Sequence, residues 1–108
     1  MRPEITSFTA EQVRSAARAA RGAAPVPYRE SGCGRVYVGF HGTLRAGSVQ
    51  AKALEAEGFR LTPRPHWSGR WIYVGYDNAT GVELGRGEAI ARALSEAGIP
   101  AFMDADGD

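Results

Sequence analysis

Gly34-Arg35-Val36-Tyr37-Val38-Gly39-Phe40 and Gly69-Arg70-Trp71-Ile72-Tyr73-Val74-Gly75-Tyr76 are two versions of one phrase. Both alternate, both are rich in β-branched and aromatic residues, and neither contains proline, so each reads as a strand. Each runs into a glycine-containing loop and then an alanine-rich segment. Those segments end alike in Ala-Leu-x-x-x-Gly, at Ala53-Leu54 to Gly58 and at Ala93-Leu94 to Gly98. Glycine just beyond the last periodic residue is a helix stop. The chain therefore carries a strand–helix–strand unit written twice.

Working outward, the first strand covers residues 35–40, and after the loop 41–47 Ser48 caps a helix to about residue 57. A second strand, 59–64, alternates Phe59, Leu61 and Pro63 with Arg60, Thr62 and Arg64. The turn 65–69 leads into the third strand, 70–76, and Asp77-Asn78-Ala79-Thr80-Gly81 is turn chemistry. The second helix is expected over 87–97, with Ile90, Ala93, Leu94 and Ala97 as its core stripe and Glu88–Arg92 as a supporting pair. The last strand covers 99–103, followed by a frayed acidic tail. This order, with a tight link between the halves, predicts an α+β fold. It is a ferredoxin-like βαββαβ sandwich, a four-stranded antiparallel sheet with two helices on one face. The first and third strands would be central. Proline belongs on edge strands, and Pro63 and Pro100 fall in the second and fourth strands only.

An N-terminal helix precedes this unit. Thr9 and Gln12 form a capping box, the helix runs over 10–21, and Gly22 ends it. Val13, Ala17 and Ala20 share its packing face. Arg14, Arg18 and Arg21 share another, read as a solvated basic face or as a stripe for phosphate or an acidic partner. Pro25 and Pro27 make residues 23–33 an extended linker. The organisation is thus an arm, helix and linker over 1–33 and a ferredoxin-like domain with a short acidic tail over 34–108.

Thirteen basic against twelve acidic residues give a net charge of +1, which argues against non-specific nucleic-acid binding as the main activity. The single cysteine, Cys33, excludes an internal disulfide and a cysteine-based zinc cluster. No apolar run has signal-peptide or membrane-span length, so a cytoplasmic setting is expected.

Strand alternation puts Val36, Val38, Phe40, Phe59, Leu61, Ile72, Val74, Tyr76, Ile99, Ala101 and Met103 toward the helices. Arg35, Tyr37, Gly39, Arg60, Thr62, Arg64, Trp71, Tyr73, Gly75, Pro100 and Phe102 go to the open face. An open face with four aromatics is a candidate binding surface. The candidate residues are Tyr37, Trp71, Tyr73, Phe102, Arg35, Arg60 and Arg64.

Val36-Tyr37-Val38-Gly39 resembles the first-strand motif of RNA-recognition-motif domains, and Trp71-Ile72-Tyr73-Val74-Gly75-Tyr76 resembles the last six positions of their third-strand motif. The resemblance covers roughly residues 34–104. It implies the same ferredoxin-like fold, with Tyr37, Trp71 and Tyr73 stacking on single-stranded RNA or DNA bases. The residues themselves leave three uses of the face open: packing against the N-terminal helix, another protein or a second copy as a homodimer; a single-strand nucleic-acid surface; or a small-molecule site. Near-neutral charge favours the first, and Tyr and Trp are favoured interface residues. The expectation is a non-catalytic protein-binding or self-associating module. Its size and composition suit a regulator or inhibitor carried by a phage or other mobile element.

Other motifs carry less. Gly42-Thr43-Leu44-Arg45-Ala46-Gly47-Ser48 has phosphate-loop glycine spacing without the lysine, leaving at most weak anion binding near Arg45. The segment 81–87 reads as a second flexible loop. His41 and His66, with no nearby carboxylate or cysteine, make a poor metal site; His66-Trp67 in a turn suits surface recognition or local packing. No catalytic residue, cofactor or metal is expected.

Overall fold

The computed structural model describes residues 2–28 and 33–107; part of the linker, 29–32, and both terminal residues lie outside the described residues. A capping box opens the first helix, α1 (Ala10–Arg21). The Gln12 N–H donates to Thr9 Oγ1 at 3.1 Å, and the Thr9 N–H donates to Gln12 Oε1 at 2.8 Å. Its small face, Val13, Ala16, Ala17 and Ala20, is buried, and α1 packs against both later helices, so it does not dock on the open face of the sheet as one reading allowed. The basic stripe is neither free nor merely solvated. Arg14 and Arg18 donate to the Glu57 carboxylate at 2.9 and 3.3 Å, and Arg21 Nη1 stands 3.7 Å from it. Glu57 follows the next helix and is 4% exposed. Hydrogen bonds from Arg18 and then Arg14 lower its pKa against the cost of desolvation.

The remaining elements are β1 (Cys33–Phe40), α2 (Val49–Ala56), β2 (Leu61–Pro63), β3 (Arg70–Asn78), α3 (Val82–Glu96) and β4 (Ala101–Gly107). The described residues form a four-stranded antiparallel sheet in the order β2-β3-β1-β4, the ferredoxin-like topology. The two repeated strands are central and the proline-bearing segments lie toward the edges, as expected. Ser48 caps α2 by accepting from the Ala51 N–H at 3.1 Å. Val38, Phe40, Leu54, Ile72, Leu94 and Ile99 join Ile5 and the small face of α1 in one core. No helix among the described residues is long and apolar enough to cross a membrane.

Several boundaries and faces differ from expectation. β1 starts at Cys33, inside the expected linker, and β3 continues through the expected turn residues Asp77 and Asn78, because Cys33 and Gly34 pair with them across the sheet. α3 begins at Val82, five residues before the apolar periodicity at Gly87. The Asp77 carboxylate, 1% exposed, accepts from the N–H groups of Thr80, Gly81, Glu83 and Leu84 at 2.9–3.1 Å. It therefore satisfies donors that a helix start leaves orphaned. Desolvation works to raise the Asp77 pKa, and the four N–H donors together outweigh it, so the net shift is downward. Gly85 is a helical close-approach residue, not a loop hinge. A Cβ there would overlap the Val26 carbonyl, and the Val26 N–H donates to Gly85 O at 3.2 Å.

A β-bulge changes the faces of β3. Val36 pairs with Gly75 but Tyr37 pairs with Tyr73, so Val74 is the extra residue. Beyond it the side chains exchange sides. Tyr76, expected in the core, pairs with Arg35 and is 46% exposed; Gly75, expected outward, lies against Glu83 of α3. β2 is shorter than expected, although the Tyr73 N–H still donates to Arg60 O at 2.8 Å beyond its end. β4 starts later and runs through the supposed frayed tail, because Asp104 and Asp106 pair with Tyr37 and Arg35 and have a partner across the sheet.

Candidate binding surface on the outer sheet face

The register sets the outer face in rows. Arg35 lies between Asp106 and Tyr76, Tyr37 between Asp104 and Tyr73, and Gly39 beside Phe102. Because Gly39 has no side chain, the Trp71 indole lies across β1; a Cβ on Gly39 would overlap the ring. Trp71 thereby meets Phe102 of β4 edge-on at 5.6 Å between centroids. Tyr37 stands edge-on to Trp71 at 6.4 Å and to Tyr73 at 5.6 Å. These are favoured aromatic geometries.

Arg64, just after β2, closes this cluster from above. Its guanidinium carbon lies 4.5 Å from the Trp71 ring centroid, 4.8 Å from Tyr37 and 4.9 Å from Trp67. Its Nη2 donates to Asp106 Oδ1 at 2.5 Å and to Asp104 Oδ2 at 3.0 Å, while Nε donates to Asp106 at 3.2 Å. Burial works against the charge, and the bonds to Asp106 and Asp104 outweigh it, so the Arg64 pKa is raised. The Arg64 hydrogen bond lowers the Asp106 pKa in turn. Arg64 Nη1 has no hydrogen-bond partner among the described residues and sits in this ring-lined setting.

This arrangement corrects the picture of an open aromatic platform. Tyr37 is 2% exposed, Trp71 6% and Arg64 4%. Tyr73 is half-buried beneath Arg60, whose guanidinium carbon stands 5.2 Å from its centroid. Phe102 is half-buried, with His41 5.8 Å away. Of the seven expected site residues, Arg35 and Arg60 alone are classed as exposed; the aromatics come together, but as a covered cluster.

The exposed member is Trp67, in the connection between β2 and β3. It packs edge-on against Trp71 at 5.3 Å and is 53% exposed. Its N–H donates to Arg64 O at 3.1 Å, and the preceding His66 holds a left-handed backbone at φ 69°. The Arg70 N–H donates to Leu44 O at 2.6 Å, tying this connection to the loop after β1. Between them runs an open groove of about 690 Å³ lined by Thr43, Arg45, Pro63, Trp67, Ser68 and Arg70, among others. It adjoins a recess of about 120 Å³ where Phe40, Leu44, Trp71 and Phe102 supply apolar walls. Neither Arg45 nor Arg70 has an ion pair among the described residues. Read from the sequence, Trp67 is a surface-recognition or local-packing residue and Arg45 a weak anion contact, both apart from the sheet-face residues, and Arg70 has no binding role; the available signal was a tryptophan in a Pro-His-Trp-Ser-Gly turn.

The other motifs are occupied structurally. Ser48 of the phosphate-loop-like segment spends its hydroxyl on capping α2, and Leu44 is buried. Cys33 is half-buried, its thiol 3.8 Å from Asn78 Oδ1. In comparisons with known proteins, the chain matches no family model, no curated protein and no solved structure.

Proposed function

We propose that the chain is a small non-catalytic protein-binding module whose working surface is Trp67 and the groove beside it. The observation that carries this reading is the 53% exposure of a tryptophan seated on a fixed aromatic stack. Its supports are already ordered by Arg64, Asp104 and Asp106, so docking a partner there has little further ordering to do. Tryptophan is among the residue types that dominate interface energetics. A module of this kind regulates or inhibits by occupying its partner, whether another protein or a second copy.

Single-strand binding, which the resemblance implied, needs the ring faces of Tyr37, Trp71 and Tyr73. Arg64 lies over the first two and Arg60 over the third. The test compares the wild type with Trp67→Ala in sedimentation analysis and in quantitative affinity capture, with captured proteins re-tested in purified form. A complex formed by the wild type and lost in the variant supports the reading. A wild type that neither self-associates nor holds any partner in a Trp67-dependent way overturns it.

A further inference from the structure

We infer that the groove beside Trp67 takes an acidic linear segment of a partner protein, placing an aliphatic side chain in the recess and carboxylates on Arg45 and Arg70. The inference rests on the protein-binding reading and names the chemistry of the partner. Its first ground is charge. The groove lining contains two arginines and no carboxylate. Arg14, Arg18, Arg21, Arg64, Arg86 and Arg92 are ion-paired within the chain, whereas Arg45 and Arg70, like Arg35 and Arg60, have no ion pair among the described residues. Guanidinium groups without an internal acid, on the walls of one groove, match carboxylates supplied from outside.

The second ground is shape. The groove is open along its length and shares Thr43, Trp67, Ser68 and Arg70 with the recess. An extended chain can therefore lie along the groove while one side chain enters the recess. The recess, about 120 Å³, is smaller than the roughly 150 Å³ that accommodates a benzene molecule, which favours an aliphatic side chain. The Thr43 and Ser68 hydroxyls offer hydrogen bonds to the segment's backbone. A nucleic-acid strand fits less well, because it needs a longer run of cations and free ring faces.

The experiment titrates the full chain with a labelled short peptide alternating glutamate and leucine, read by fluorescence anisotropy. Controls are the same peptide with lysine for glutamate, the same with alanine for leucine, and an oligothymidine strand. The glutamate–leucine peptide is expected to bind and to weaken as salt rises. Arg45→Glu and Arg70→Glu should each weaken it about tenfold. The alanine peptide should bind more weakly, and the lysine peptide should not bind.

The inference is overturned if the glutamate–leucine peptide does not bind, if the lysine peptide binds equally, if both charge reversals leave affinity unchanged, or if oligothymidine binds more tightly. The parent reading is scored separately by Trp67→Ala in the capture experiment. If capture depends on Trp67 while the acidic peptide fails, only the partner chemistry falls. If capture is indifferent to Trp67, the parent reading falls as well.

Discussion

Arg64 and Asp106 tie opposite sides of the sheet together. Arg64 follows the edge strand β2, Asp106 lies on the other edge strand β4, and two donors of the guanidinium, Nη2 at 2.5 Å and Nε at 3.2 Å, converge on one carboxylate oxygen. The bridge crosses above Tyr37 and Trp71, so it also seals the aromatic cluster. Replacing Arg64 with Met keeps a long apolar stem against the rings and removes the charge. Asp104 and Asp106 then lose the cation they share, and Asp106 keeps the weaker pull of Arg35. Loss of about 2 kcal/mol is expected, below the 3–5 kcal/mol of a fully buried broken pair because both carboxylates retain some exposure. Arg64→Lys should recover only part of this, since an ammonium lacks the planar fork. Urea denaturation of both variants measures the effect, and an unchanged Arg64→Met midpoint would contradict it.

Acid stability follows from three carboxylates. Asp77, Asp106 and Glu57 all have folded pKa values below their ordinary values of 3.8, 3.8 and 4.5. A depressed carboxylate pKa contributes stability above the unfolded value, and the contribution is lost as pH falls through the folded value. Thermal midpoints should thus hold steady from neutrality to about pH 5 and decline below it. In Arg64→Met the largest part of the Asp106 contribution is already missing, so the acid decline should be shallower. Parallel acid limbs for the two proteins would show that the bridge does not contribute to this dependence.

At the start of α3, Asp77→Asn separates a full cap from a partial one. Both carboxylate oxygens are engaged, each by backbone donors, and asparagine offers one acceptor oxygen and turns the other position into a donor. The amides of Glu83, Leu84 and Gly85 should then exchange about tenfold faster, while the amides of α1 hold. Hydrogen exchange resolved by residue checks this. Uniform acceleration throughout the chain would instead indicate global destabilisation.

The same position shows where sequence reading stops. The fold was legible because its signals are local: the repeated strands, Thr9 with Gln12, Ser48, and prolines placed toward edges. Asp77 reads locally as a turn residue, and its role as a buried acceptor for four amides appears only once the chain has turned over it. The bulge at Val74 has no composition signal, yet it moves Tyr76 out and Gly75 in. At the site, alternation correctly gathered Tyr37, Trp71, Tyr73 and Phe102. It could not foresee that Arg64, placed beside them as a possible ligand contact, would bond to aspartates about 40 positions away and cover them. Exposure of Trp67 is the complement of that closure.

Gly39 tests how the cluster is assembled. An added methyl occupies space that the Trp71 indole fills, so Gly39→Ala must displace the ring or the strand. Overpacking of this kind costs about 1–3 kcal/mol. Tryptophan emission should shift toward that of a more solvated indole, together with a lower denaturation midpoint. Unchanged emission and midpoint would mean that the indole does not lie across β1.

Trp67→Ala and Trp71→Ala divide stability from binding. The two indoles touch, but Trp71 is 6% exposed and Trp67 53%. Truncating Trp71 removes the ring that meets Tyr37, Phe102 and the Arg64 guanidinium, and should cost about 3–5 kcal/mol. Loss of binding in that variant would say little about the interface, because the surface itself would be disrupted. Truncating Trp67 leaves the bridge from Arg64 to Asp104 and Asp106 in place but removes the ring beside Trp71 and the Arg64 guanidinium, and should cost about 1–2 kcal/mol, well short of Trp71→Ala. Hot-spot tryptophans cost about 2 kcal/mol or more in affinity when truncated, roughly thirtyfold. A Trp67→Ala protein that stays folded with only a small drop in midpoint and has lost partner binding assigns the indole to recognition. One that loses stability in the manner of Trp71→Ala and retains binding assigns it to the aromatic core.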